Sequence, residues 1–193
     1  MRKAKVFRKT KETEIEVTIN LDGNGESNIS SPIFFFNHML ETFARFASID
    51  LIIKANGDLR VDQHHLVEDV GIVLGNAISN SLKNKIGIER AGFFVYPMDD
   101  ALSIVAIDLG GRPYLQYDCS FKRRYCGNFD TDNLEDFLYG LSIGLKANIV
   151  TRIPFGRSDH HKIESLFKGL GKALKQACKK NNSKIILSNK GVI

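Results

Sequence analysis

Two copies of one short pattern constrain this chain more than any other feature. His64-His65-Leu66-Val67-Glu68-Asp69 returns 96 positions later as His160-His161-Lys162-Ile163-Glu164-Ser165, and the copies hold four of the five histidines. Each opens a run with helical spacing of apolar residues: Val70, Ile72, Val73, Leu74, Ala77 and Ile78 after the first, Leu166, Phe167, Leu170, Ala173, Leu174 and Ala177 after the second. On such a helix Glu68 shares a face with His64, four residues back, and Glu164 does the same with His160. Adjacent imidazoles project about 100° apart, so each pair can reach two different places, such as two metal ions. One pair alone would read as a helix cap or a surface feature. Two pairs with the same acid at the same offset point to ligands, and to a duplicated chain.

A chain of 193 residues, 43% hydrophobic, can bury a sizeable core. The repeat divides a single domain over residues 1–193 into halves of approximately 8–90 and 91–193. The expected class is α/β in the α+β sense: internally duplicated half-domains, each a mixed sheet packed against helices, joined in one compact unit. No apolar run approaches the ~20 residues that span a bilayer. The basic start, Met1-Arg2-Lys3-Ala4-Lys5, leads into no signal-peptide core. Cys119, Cys126 and Cys178 are odd in number and lack metal-site spacing, which suits ordinary intracellular thiols. A cytoplasmic protein without a membrane partner is expected. The net charge of +5 gathers at Lys122-Arg123-Arg124 and at Lys172, Lys175, Lys179, Lys180 and Lys184. Without a nucleic-acid fold signature this reads as solvated basic surface, so no nucleic-acid partner is expected.

In chain order, Glu14 to Asn20 alternates polar and apolar residues as a half-buried strand does. Asp22-Gly23-Asn24-Gly25 turns, and a short strand runs to about Ser31. Ser31-Pro32 introduces a helix from Ile33 to Ala47, whose consecutive Phe34, Phe35 and Phe36 predict burial over much of its girth. Ile49 to Ala55 reads as a strand, Gly57-Asp58 as a turn, and Leu59 to Asp62 as a shorter strand before the first paired-histidine helix, which ends near Gly87. Strands follow at Gly92 to Tyr96, Leu102 to Leu109 and Tyr114 to Cys119, with turns at Pro97-Met98-Asp99-Asp100 and Gly110-Gly111-Arg112-Pro113. Asn128 to Asn133 reads as loop and helix cap, Leu134 to Ala147 as a helix, and Ile149 to Ile153 as a strand. Laying the halves on one another puts His38 near Asp136. Each half then offers one helix residue able to bind metal, two imidazoles and a glutamate. Such sets without thiolate suit manganese, iron or zinc, manganese gaining as carboxylates increase. The His-Glu-x-x-His pattern of zinc proteases is absent.

Phe36-Asn37-His38-Met39-Leu40, Gly57-Asp58-Leu59, Asp62-Gln63-His64-His65-Leu66-Val67-Glu68-Asp69, Pro97-Met98-Asp99, Asp108-Leu109-Gly110-Gly111-Arg112-Pro113-Tyr114, His160-His161-Lys162-Ile163-Glu164 and Ser188-Asn189-Lys190-Gly191-Val192-Ile193 together carry a resemblance. In order and content they resemble imidazoleglycerol-phosphate dehydratase, an enzyme of histidine biosynthesis. The likeness runs from about Arg8 to the last residue. It implies a duplicated α/β unit with two manganese ions per active site, bound by His38, His64, His65, Glu68, His160, His161 and Glu164. The eighth position, often histidine in the family, is Asp136 here. The resemblance also implies substrate contacts from Glu12, Arg90, Arg112, Ser188 and Lys190. Arginine suits the phosphate through its fork of donors, lysine as a point charge.

The implied reaction removes water from imidazole glycerol phosphate to give imidazole acetol phosphate. Holding the deprotonated imidazole between two cations would let the ring expel the side-chain hydroxyl. The catalytic base is one of Glu12, Glu68 and Glu164, with no ground in the sequence for choosing among them. Two departures stand out. Phe46 replaces a common histidine and can neither bind metal nor move a proton; Asn189 replaces the usual serine or threonine of the tail. The family builds trimers that assemble into a 24-subunit shell of octahedral symmetry with sites shared between neighbours, so a homo-oligomer is expected. A di-metal phosphoester hydrolase, or a metal-assembled relative without activity, are the other readings of the same ligand set.

Overall fold

The computed structural model describes residues 2–181, 183–191 and 193; Met1 and the Val192 of the tail pattern lie outside the described residues. Strand β1 (Lys3–Lys9) pairs antiparallel with β2 (Thr13–Asn20), and β3 (Ser27–Ser30) runs parallel to β4 (Asp50–Gly57), itself antiparallel to β2. The order is β1-β2-β4-β3. The second sheet repeats it: β5 (Ala91–Met98), β6 (Ala101–Asp108), β7 (Tyr114–Asp118) and β10 (Asn148–Phe155) lie in the order β5-β6-β10-β7 with the same pattern of directions. A small hairpin, β8 (Tyr125–Cys126) and β9 (Phe129–Asp130), stands apart. Period-two burial explains the sheets: Ile15, Val17 and Ile19 on β2 and Leu51, Ile53 and Ala55 on β4 point inward in alternation.

Four helices fill the space between the sheets. Helices α1 (Phe34–Ala47) and α2 (His64–Leu82) cover the first sheet, α3 (Asn133–Leu145) and α4 (Asp159–Ala177) the second. Across the middle, α1 packs on α4 and α2 on α3, so each contact joins opposite halves. Glycine allows both approaches. A methyl group on Gly75 would lie 2.5 Å from Leu145 N and 2.7 Å from Leu141 O, and one on Gly171 would lie 2.8 Å from Phe43 O. Only a missing Cβ lets these backbones come so close. Phe36, Phe137 and Phe167, from α1, α3 and α4, meet at the centre. Phe137 and Phe167 stack at 5.5 Å between centroids, and Phe36 stands edge-on to Phe137 at 5.2 Å.

Several expectations are corrected. The burial of helix α1 over much of its girth is not among them: Phe36, Met39, Leu40, Thr42, Phe43, Ala44 and Ala47 are inside, although Phe34, the first of the three phenylalanines, is 75% exposed. Leu59 to Asp62 is a turn, because Val61 N–H closes back on Asp58 O at 2.9 Å and Asp62 Oδ1 caps His64 N–H at 2.9 Å. Asn128 to Asn133 contains β9, brought round by Gly127 at φ +58°. Strand β1 lies ahead of the first strand expected, in the basic N-terminal stretch. No helix among the described residues is long and apolar enough to cross a membrane.

Candidate active site

The α1–α4 contact places His38 of the first half beside the second histidine pair. Ligand atoms of His38, His160 and Glu164 lie within 4.8 Å of one another, with both imidazoles exposed and the carboxylate half-buried. Among the described residues this is the one convergent set of three metal-binding groups. Two nitrogens and a carboxylate oxygen without thiolate fit a divalent ion of manganese, iron or zinc character. His160 Nε2 is 3.1 Å from Glu164 Oε2, and Lys168 Nζ donates to Glu164 Oε1 at 3.0 Å. Burial pushes the Glu164 carboxyl up, but the hydrogen bond and charge of Lys168, with His160, outweigh it and hold the group below its ordinary value. Phe35 stands edge-on to His160 at 5.1 Å and props the ring.

The α2–α3 contact does the reciprocal thing. Asp136 of the second half meets His64 of the first, its Oδ2 3.0 Å from His64 Nδ1, while His64 Nε2 lies 3.9 Å from Glu68 Oε2. The other member of each pair turns away: ring planes differ by 74° between His64 and His65 and by 79° between His160 and His161. His65 Nδ1 faces both oxygens of Asp58 at 3.2 Å, and its Nε2 lies 3.9 Å from Glu12 Oε1. The hydrogen bond to Asp58 raises the His65 pKa above the usual histidine value, against the opposing pull of burial. His161 repeats this at the β5–β6 turn, with Nδ1 2.5 Å from Asp100 Oδ1 and Nε2 3.7 Å from Asp99 Oδ2. Asp100 sits well below the carboxylate range, held there by His161 and by the N–H groups of Ser158 and Arg157.

The expected phosphate-binding residues gather elsewhere. Arg90 holds Asp108 with two bonds of 2.7 and 2.9 Å, which raises its pKa, and donates to Leu187 O in the tail. A Cβ on Gly110 would meet Arg90 Nη2, and one on Gly111 would meet the last residue, Ile193, so the Gly110-Gly111-Arg112 turn lies against both. Ser188 caps its own turn, its Oγ accepting from Lys190 N–H at 3.3 Å. Arg90 N–H bonds Ala177 O, at the far end of α4 from His161. Sixteen residues of helix separate the two, about 24 Å at 1.5 Å per residue. Within one chain, then, the histidines and the arginines form two separate groups.

A family profile described as imidazoleglycerol-phosphate dehydratase matches residues 31–174. The chain belongs to that family. The enzymes of this name from Koribacter versatilis and Chloroherpeton thalassium are 46% and 47% identical to it, each alignment covering 100% of this chain and 100% and 98% of the relative. Among solved structures, the Pyrococcus furiosus enzyme, determined in complex with (S)-C348, superposes with a TM-score of 0.85 at 39% identity, covering 97% of this chain and 100% of that one. The Staphylococcus aureus enzyme gives 0.83 at 32% identity, covering 92% and 99%. The dehydratase is a hydro-lyase of histidine biosynthesis.

Some of the dehydratase's site was hidden from sequence reasoning. Asp58, Asp99 and Asp100 read as turn residues, although each turn sits where a strand delivers an acid to a histidine. Lys168 does leave a signal in the sequence, standing four residues after Glu164 at the spacing of a helical ion pair. Phe46 has a definite place in the structure. Its ring is 5.5 Å from that of Tyr96, edge-on, and the Lys168 and Lys172 ammonium groups lie 5.4 and 5.8 Å from its centroid. It thus cradles the lysine that holds Glu164.

Proposed function

We propose that the dehydratase works with two manganese ions per active site, one held by His38, His160 and Glu164 and the other by His64 and Glu68. The observation that carries this reading is the convergence of the first three ligand atoms from helices of opposite halves. Bound there, the ions would offset the negative charge that develops as the substrate imidazole loses its proton. Three donors at one site and two at the other, all from one chain, leave each ion short of a full shell. His65 and His161, turned away with Nε2 toward solvent-facing acids, supply the missing imidazoles to neighbouring copies.

The chain's own carboxylates divide the remaining work. Glu164 has both oxygens engaged and a lowered pKa, and Glu68 faces His64, so neither is placed to shuttle a proton. Of the three glutamates, Glu12, 53% exposed on the β1–β2 turn and beside His65, is the one outside the ligand sets, and it acts as the base at the substrate carbon. Arg90, Arg112, Ser188 and Lys190 bind the phosphate. Because they lie a helix length from the histidines of the same chain, a compact three-carbon substrate bridges the groups only across a boundary between copies. A homo-oligomer accounts for that separation, and the family resemblance supplies its form, a 24-subunit shell built from trimers. The exposed apolar residues Phe93, Val95 and Val150 on the outer face of the second sheet give the copies a surface to share.

The test is direct. Protein stripped by chelator is given manganese and imidazole glycerol phosphate, and formation of the imidazole acetol phosphate ketone is followed spectroscopically. Ketone formed only with manganese is the expected result. Full activity in rigorously metal-free protein overturns the metal reading.

A further inference from the structure

Three of the four paired imidazoles are held in one way. His65 Nδ1 is against Asp58 at 3.2 Å, His161 Nδ1 against Asp100 at 2.5 Å, and His64 Nδ1 against Asp136 at 3.0 Å. In each case the carboxylate accepts a hydrogen bond from Nδ1–H, which fixes the tautomer and leaves Nε2 with the free lone pair. That is how an outer carboxylate orients a metal-binding histidine. Asp136 therefore resembles Asp58 and Asp100 in its contact, not His38, its counterpart by repeat position. The ligand atoms of His38 converge with those of His160 and Glu164, whereas His64, Glu68 and Asp136 do not form such a set among the described residues.

We infer that Asp136 is a positioning residue for His64, so that the two metal half-sites of this chain are unequal: a three-donor half-site at His38, His160 and Glu164 and a two-donor half-site at His64 and Glu68. The inference rests on the two-metal reading above. Each half-site gains one imidazole from a neighbour, so the inequality survives assembly. The two-donor site keeps more positions open and holds its ion more weakly. Asp136 acts there through His64, by keeping the ring turned and its Nε2 basic.

The distinction between orienting and ligating is chemical. An asparagine at 136 can still accept a hydrogen bond from Nδ1–H through its amide oxygen, but a neutral amide is a poor substitute for an anionic ligand. The experiment is a manganese titration of the full-length, chelator-stripped protein. Free ion is counted by electron paramagnetic resonance, and no substrate is present. Wild type is expected to show two classes of site of distinct affinity. Asp136→Ala should weaken only the weaker class, by the 10- to 100-fold typical of losing an outer-shell partner, and Asp136→Asn should recover most of that loss. Two equal classes in wild type overturn the inference, and that measurement needs no variant to fold. Equal damage from the asparagine and alanine variants also overturns it, making Asp136 a ligand. Absence of manganese binding in wild type removes the two-metal reading itself, an outcome separate from either of these.

Discussion

His160 Nε2 and Glu164 Oε2 stand 3.1 Å apart on successive turns of α4, with His38 of α1 completing a set that spans both halves. On the proposed two-metal reading, each of the four paired imidazoles counts. His65→Ala or His161→Ala should abolish turnover and lower the manganese content of the purified protein. Metal analysis beside the ketone assay checks it. Normal activity in metal-replete His161→Ala protein would sink the two-metal reading.

Arg112 follows the Gly110-Gly111 turn that the C-terminal residue touches. Arg112→Ala should weaken binding of the phosphorylated substrate by roughly 1.5–3 kcal/mol, the loss of one charged hydrogen bond. The effect should appear in KM and in inhibition by inorganic phosphate. If both stay at wild-type values, Arg112 lies outside the phosphate pocket.

On the proposed shared-site reading, chelation should shift the protein from a very large particle to one of trimer size, because ions shared between copies would stabilise the assembly by mass action. Light scattering with and without chelator decides between outcomes. A monomer in both conditions would refute the shared site. A large particle indifferent to chelator would refute only the linkage between metal and assembly.

Asp50 ties the start of β4 to the loop before β3. Its carboxylate accepts from Asn24 N–H at 2.8 Å and Asn20 Nδ2 at 2.9 Å, and chiefly the Asn24 bond lowers its pKa. A depressed carboxylate stabilises the fold at pH values above its unfolded pKa of about 3.9, and that contribution is lost as pH falls through the lower folded value. Asp50→Asn should therefore lower stability at neutral pH and flatten the acid limb of the stability curve. Denaturant midpoints at pH 7 and pH 3 test it: a variant equal to wild type at pH 7 removes the assignment.

Gly75 lies where α2 and α3 touch backbone to backbone. Gly75→Ala should destabilise the protein by roughly 1–3 kcal/mol through overpacking, despite alanine's better helix propensity. It should also impair metal binding at His64, whose partner Asp136 sits on the displaced helix. A raised melting temperature would show that the helices part without cost.

What the sequence determined by itself is what local periodicity and chemical type can carry. The alternation from Glu14 to Asn20 and the 3.6-residue spacing after His64 and His160 specify their elements, because side-chain direction repeats with the backbone. The divergence of paired imidazoles and the approach of Glu164 to His160 follow from helix geometry alone. The family was also legible, since its motifs run in order through nearly the whole chain. Strand β1 was not, because Lys3–Lys9 buries little on either face and is held by its pairing with β2. Nor was the turn at Leu59 to Asp62, whose alternation resembles a strand that has no partner.

Only the tertiary structure decided which groups meet. His38 joins His160 rather than its own half's pair, and Asp136 joins His64, because glycine-lined contacts dock each helix on the opposite half. The aspartates that orient His65 and His161 arrive from sheet turns, and the arginines end up a helix length from the histidines. Such juxtapositions come from packing between segments distant in the chain, and no local pattern encodes them.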